Sequence, residues 1–170
     1  MFKRIMVPLD GSLLAEEAIS PALVLARQFD AELLLLRVVT PQHVGVHFDG
    51  AGYAEMLVQL REYSKSEAIS YLETHQRILT EQGYNVRQLI VDDDFVAEAI
   101  LEHIESEAID ILVMSTHGRG GIRRWVFGSI ADKVLRQADI PVMLVRATEK
   151  ETDWDLADQA QVQTNIPPIK

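Results

Sequence analysis

An open, doubly wound α/β sheet of five parallel strands is the fold this sequence predicts. Three observations predict it. Five short apolar runs are each bounded by turn residues, as strands buried on both faces are. Longer segments with apolar residues at helical spacing separate these runs, and strands alternating with helices build a parallel sheet through right-handed crossovers. The fourth run opens into a glycine-rich segment, where such sheets gather ligands outside the carboxyl ends of their strands. The 170 residues suit one ordinary domain, and a hydrophobic content of 48% is ample for a single core.

In chain order, Ile5-Met6-Val7 is the first strand, ending at Pro8. Asp10-Gly11-Ser12 then turns the chain. Ser12 suits a helix N-cap, with Glu16 and Glu17 in the first turns, where acidic groups oppose the positive dipole end. Leu14, Ala18, Ala22, Leu25 and Phe29 fall near one helical face. Pro21 lies inside that pattern, lacks an N–H and clashes with the preceding turn, so a kink or a local tightening of the helix is expected there. Glu32 to Val39, ELLLLRVV, is the second strand. Thr40 to Gly52, with Pro41 and glycines at 45, 50 and 52, reads as a loop. His43 and His47 among these glycines do not make a metal set.

Tyr53 to Gln82 is a long helix with Leu57, Leu60, Ser64, Ala68, Tyr71, Leu72, Ile78 and Leu79 on its apolar stripe, and Gly83 is placed to end it. Val86 to Val91 is the third strand. Asp92-Asp93-Asp94 reads as a solvated cap for a helix from Val96 to Glu107, with Val96, Ala99, Ile100 and Ile104 inward. Ile111 to Met114 is the fourth strand. Ser129 to Gln137 is the last helix, broken by Asp139-Ile140-Pro141, and Val142 to Val145 is the fifth strand. Residues 148–170, acidic through Glu149, Glu151, Asp153, Asp155 and Asp158, read as a flexible or partner-docked tail on a domain of residues 1–147. Trp154 and Leu156 are its anchors.

Composition excludes several classes. A net charge of −10, from 26 acidic against 16 basic residues, disfavours nucleic acid as a partner. The chain has no cysteine, which removes disulfide stapling and thiolate metal sites and points to the cytoplasm. The first apolar run meets Asp10 at once, so no signal peptide fits, and no stretch reaches the length of a membrane span. A soluble protein without membrane contact is expected.

The segment Asp110 to Ile130, DILVMSTHGRGGIRRWVFGSI, carries the chemistry. Gly118, Gly120 and Gly121 let the backbone take φ > 0 and turn N–H groups toward a ligand. Gly128-Ser129 presents the unpaired amides and positive dipole end of a helix. Two such donor clusters facing one crevice suit phosphates, and Arg119, Arg123 and Arg124 supply local positive charge. Neither G-x-x-x-x-G-K-[ST] nor G-x-G-x-x-G occurs; Asp10-Gly11-Ser12 follows the first strand instead. Asp10 is a turn former in one reading and a ligand-side carboxylate at the end of the first strand in the other.

The opening KRIMVPLDGS, the strand LLLLRVV, the loop STHGRGG…FGS and the closing ADIPVMLVR together resemble the universal stress protein family over residues 1–147. Nucleotide-binding members carry G-x-x-G, nine residues, then G-[ST]. Gly118, residues 119–127 and Gly128-Ser129 fit this pattern, while Ser115 stands in place of the first glycine. Its hydroxyl can hydrogen-bond a phosphate or ribose. The resemblance implies a Rossmann-like sheet of the adenine nucleotide alpha hydrolase type, strand order 3-2-1-4-5, binding ATP or AMP with Mg²⁺. The implied site is Pro8, Leu9, Asp10 and Ser12; Val38 against the adenine; Met114, Ser115, Thr116, His117, Gly118, Arg119, Gly120 and Gly121; and Gly128, Ser129 and Ile130. Asp10 would help hold Mg²⁺ on the phosphates.

The implied role is a stress-response switch that works through nucleotide occupancy and is read by a protein partner the sequence does not specify. A homodimer through the 141–146 strand is implied too; Val142 and Leu144 are the residues to test against the partner if they face it, with Met143 and Val145 as the opposite-face control, since in the other orientation the first pair would lie in the protomer's own core. Two alternatives stand beside this reading. One is a dimeric interaction protein of the same fold that binds no nucleotide. The other is a phosphoacceptor receiver domain, which needs a second acid beside Asp10 and a lysine where Arg146 stands. As for catalysis, the loop has no lysine for a γ-phosphate, and its one candidate base, His117, reads more readily as structural, so no enzyme is expected beyond, at most, slow ATP hydrolysis.

Overall fold

The computed structural model describes residues 1–40, 51–116 and 128–146, and in it the five apolar runs form one parallel sheet. The strands are β1 (Arg4–Pro8), β2 (Glu32–Val39), β3 (Val86–Asp92), β4 (Ile111–Ser115) and β5 (Val142–Val145), in the order β3-β2-β1-β4-β5. The helices are α1 (Leu13–Glu16), α2 (Ile19–Phe29), α3 (Ala51–Glu81), α4 (Val96–Ser106) and α5 (Ser129–Gln137). The fold class and strand order are those expected.

Strand alternation sorts the core into two layers. Ile5, Val7, Leu33, Leu35, Ile111 and Val113 point to the face covered by the small residues Ala18, Ala22 and Ala26 and by Leu72 and Leu79. Met6, Leu34, Leu36, Leu112 and Met114 point to the opposite face, under Ala97, Ile100 and Ile104 of α4 and Ala131 and Val134 of α5. Both faces are covered, which is why β2 reads as a continuous apolar run. Complete burial of each of these leucines contributes on the order of 1.5–3 kcal/mol.

Pro21 acts earlier in the chain than a simple kink at its own position. The helix breaks into α1 and α2 around Glu17 and Ala18, one turn before the proline, because the ring excludes the carbonyl four residues back. Pro21 then sits in the first turn of α2, where a missing N–H costs no hydrogen bond. At the end of α3, Gly83 takes φ +88, with its N–H to the Thr80 carbonyl (2.9 Å) and the Tyr84 N–H to that of Leu79 (3.1 Å), a left-handed helix stop as expected.

The α3 helix departs from expectation in two ways. It starts at Ala51, so Gly52 lies in its first turn and not in the preceding loop. Its apolar stripe is buried only from Ala68 onward; Leu57, Leu60 and Ser64 are half-buried. Length explains this. Thirty-one residues make a helix of about 46 Å, whereas the eight residues of β2 extend only about 26 Å. The N-terminal half of α3 therefore overhangs the carboxyl edge of the sheet, held there by Arg61 Nε on Asp92 Oδ2 at 2.7 Å. That contact also divides the aspartate run. Asp92 belongs to β3, Asp93 accepts from the Phe95 N–H (2.7 Å), and the N-cap of α4 is Phe95, with no side-chain cap.

Candidate functional site

β1 and β4 are neighbours, and the chain leaves them toward opposite faces: to α1 and α2 from one, to α5 from the other. Outside their carboxyl ends lies the switch point at which such sheets hold ligands. Pro8, Leu9 and Asp10 leave β1 there, and Met114, Ser115 and Thr116 leave β4, with Leu9, Met114, Ser115 and Thr116 all buried.

Thr116 organises the β4 side. Its N–H reaches the Val145 carbonyl (2.9 Å), prolonging the β4–β5 ladder by one residue, and its own carbonyl accepts from the Gly128 N–H (3.0 Å). The chain thus departs after Thr116 and, twelve positions on, Gly128 bonds the same carbonyl. Gly128 is the N-cap of α5 and makes no side-chain cap bond, so the first-turn amides of Ser129 and Ile130 have no intrahelical acceptor. A Cβ at Gly128 would lie 3.4 Å from the Thr116 carbonyl oxygen, at the near limit of ordinary contact. Ile130 is 39% exposed. His117, Gly118, Arg119, Gly120 and Gly121 lie outside the described residues, as do His43, His47 and the 148–170 tail.

On the β1 side Asp10 fills the turn-forming role. Its Oδ1 accepts from the Ser12 N–H (3.0 Å) and from the Ser12 hydroxyl (2.5 Å), while Ser12 Oγ accepts from the Ala15 N–H (3.2 Å) as the N-cap of α1. The one hydroxyl proton of Ser12 is therefore committed to Asp10, and Ser12 meets a further partner as an acceptor only. Gly11, at φ +81, makes the turn possible. Val38 lies on β2, paired with Val91 and packed on the α4 face. Among the described residues, no three or more His, Cys, Asp or Glu side chains gather as a metal site, and no helix is long and apolar enough to cross a membrane.

Beneath the β1 end lies a polar cluster that sequence reasoning missed. Arg37, buried on β2, donates to the Leu9 carbonyl (3.3 Å), lies 3.8 Å from Glu67, and stands over the Tyr71 ring at 5.9 Å. Tyr71 O–H donates to Glu16 Oε1 at 2.9 Å, and His75 Nε2 is 3.6 Å from the same oxygen. One signal was available: Arg37 is the single charge in LLLLRVV, and a charge at a buried strand position needs partners.

Burial pulls the His75 imidazole down, but the Glu16 carboxylate and the Tyr71 carbonyl outweigh it and hold the group above the ordinary histidine range. Burial raises Glu16, but hydrogen bonds from His75 and Tyr71 and the His75 charge leave it below the ordinary glutamate range. The imidazolium contribution to stability is thus complete below about pH 6.5 and lost as pH rises through the raised value; that of Glu16 is present above about pH 4.5 and lost as pH falls through the lowered one. Thermal melts should show His75→Gln less stable than wild type at about pH 6, with the gap narrowing toward about pH 8. A gap independent of pH would mean that His75 is neutral throughout.

Residues 1–146 match the profile described as the Universal stress protein family. A curated relative, universal stress protein MJ0531 of Methanocaldococcus jannaschii, is 30% identical over 152 residues, spanning 89% of this chain and 86% of its own. The solved structure of protein MJ0577 superposes with a TM-score of 0.76 at 25% identity, over 88% of this chain and 99% of that one. An Arabidopsis thaliana family protein solved with AMP bound shares the fold, with a TM-score of 0.62 at 21% identity over 92% and 99% of the two chains. With the same sheet order and a sequence match along nearly its whole described length, this chain belongs to the universal stress protein family.

Proposed function

We propose that this chain is a cytoplasmic regulatory protein of its family that binds an adenine nucleotide, ATP or AMP, at the β1–β4 switch point. The observation that carries the reading is the Thr116–Gly128 hydrogen bond. It ties the N-cap of α5 to the end of β4, the strand next to β1, whose carboxyl end leads into Asp10 and Ser12. Helix amides and a glycine loop suit phosphates. The AMP in the Arabidopsis relative supports adenine as the base. Mg²⁺ would come with the phosphates, and Asp10, just after β1, is the carboxylate proposed to help hold it. Without a lysine for the γ-phosphate, nucleotide occupancy is the signal and hydrolysis at most slow. A homodimer through β5 and a protein partner that reads occupancy complete the proposal, with 148–170 as a tail to the 1–147 domain.

Isothermal titration with Mg-ATP and with AMP tests it, alongside mass spectrometry of any nucleotide that co-purifies. Absence of binding by either would leave the second reading, a dimeric interaction protein that binds no nucleotide. Ser115 at the first-glycine position and the committed Ser12 proton favour that reading. Ser115→Gly is expected to change affinity by less than about tenfold, about 1.4 kcal/mol, because the loss of a side-chain hydrogen bond and a closer backbone approach act in opposite directions. A much larger gain would show that Ser115 had weakened the site.

A further inference from the structure

The cluster under β1 has a switchable contact. A carbonyl only accepts, so His75 Nδ1, 3.0 Å from the Tyr71 carbonyl oxygen, carries the proton of the neutral ring. Nε2 then faces Glu16 as a lone pair when the ring is neutral and as an N–H when it is charged. Glu16 is thus held from α3 by the Tyr71 hydrogen bond alone above the His75 transition, and by that bond together with an ion pair to His75 below it. Water does not erase the difference, because the two side chains are only 22% and 27% exposed.

Glu16 is the last residue of α1, a helix of four residues. So short a helix does not hold itself and depends on its ends. One end is Ser12, locked to Asp10 at the candidate site; the other is Glu16, locked to α3. We propose that protonation of His75 and binding of an anionic nucleotide at the β1–β4 crevice are coupled through Glu16 and α1, so that acid tightens the site. This rests on the nucleotide reading above and adds its regulation.

Charge sets the sign. The groups facing the cluster are Glu16 from α1, Asp10 from the β1–α1 turn, Arg37 from β2, and Glu67 and Tyr71 from α3 itself. The Tyr71 phenol is held protonated by burial and by Glu16. Three carboxylates against one guanidinium leave this region negative, and an imidazolium offsets part of that charge. A phosphate bound near Asp10 is repelled less when His75 is charged, and it favours the imidazolium in return, as linkage requires.

The test is an NMR titration of the histidine Cε1–H resonances of the full chain, with and without saturating Mg-ATP, and with AMP in a second series; His75→Gln supplies the assignment. The His75 midpoint should rise by at least about half a pH unit on binding, equivalent to about threefold in affinity. By calorimetry, wild type should gain at least about threefold more affinity from about pH 8 to about pH 6 than His75→Gln gains. The variant serves as the reference because nucleotide phosphates and the other histidines titrate in it too. Nucleotide binding with an unmoved His75 midpoint overturns the coupling and leaves the nucleotide reading standing, whereas no binding at any pH overturns both. Should His75→Gln not fold, the histidine resonance whose midpoint falls in Glu16→Gln is His75, and the wild-type titration alone decides.

Discussion

Gly118→Val is expected to reduce Mg-ATP affinity by at least about a hundredfold, to below detection in an ordinary titration, while the protein stays folded. A β-branched side chain disfavours the positive φ that a phosphate-cradling loop needs, a strain of about 1–3 kcal/mol, and its methyl groups also block close approach of the backbone to phosphate oxygens. Folding should survive. The Thr116–Val145 and Thr116–Gly128 bonds that hold the end of β4 and the start of α5 do not involve residue 118, and the two core clusters draw on many described residues of β1, β2, β4 and the helices. A melting temperature within a few degrees of wild type, together with lost calorimetric heat, is the expected pair of results. A folded variant with unchanged affinity would move the reading to the interaction protein.

The second large effect concerns assembly. β5 lies at the edge of the sheet and so offers backbone N–H and C=O groups to another strand. Two copies paired antiparallel across a two-fold axis would satisfy both edges in one isologous contact. The structure decides between the two faces of the strand. Val142 and Leu144 pack against the protomer's own α4–α5 cluster, whereas Met143, on the opposite face, is 36% exposed. Lysines at both 142 and 144 would put two ammonium groups into the core, so that double variant is expected to unfold, not dissociate. Met143→Lys is the informative change. Sedimentation should show the wild type as a dimer and Met143→Lys shifted toward monomer at an unchanged melting temperature. A wild type that sediments as a monomer at micromolar concentration would sink the dimer, whatever the variants did.

What the sequence by itself determined is the set of elements and their class. Runs such as Ile5-Met6-Val7 and Leu33 to Leu36 are strands because residues buried on both faces of a parallel sheet are all apolar, a constraint written locally in the chain. The glycine and helix-start pattern of the candidate loop is local too, and the strand order came with the family resemblance. Only the tertiary structure decided the rest. It set how far the α3 stripe is buried, because that depends on the length of strands elsewhere in the chain. It set which face of β5 meets the core, because a period of two leaves the choice of side open. It also joined Glu16 to Tyr71 and His75, and Arg37 to Leu9 and Glu67. Those partners lie on different elements, Glu16 and Tyr71 being 55 positions apart, so their pairing is a property of the assembled layers, and no spacing along the chain encodes it.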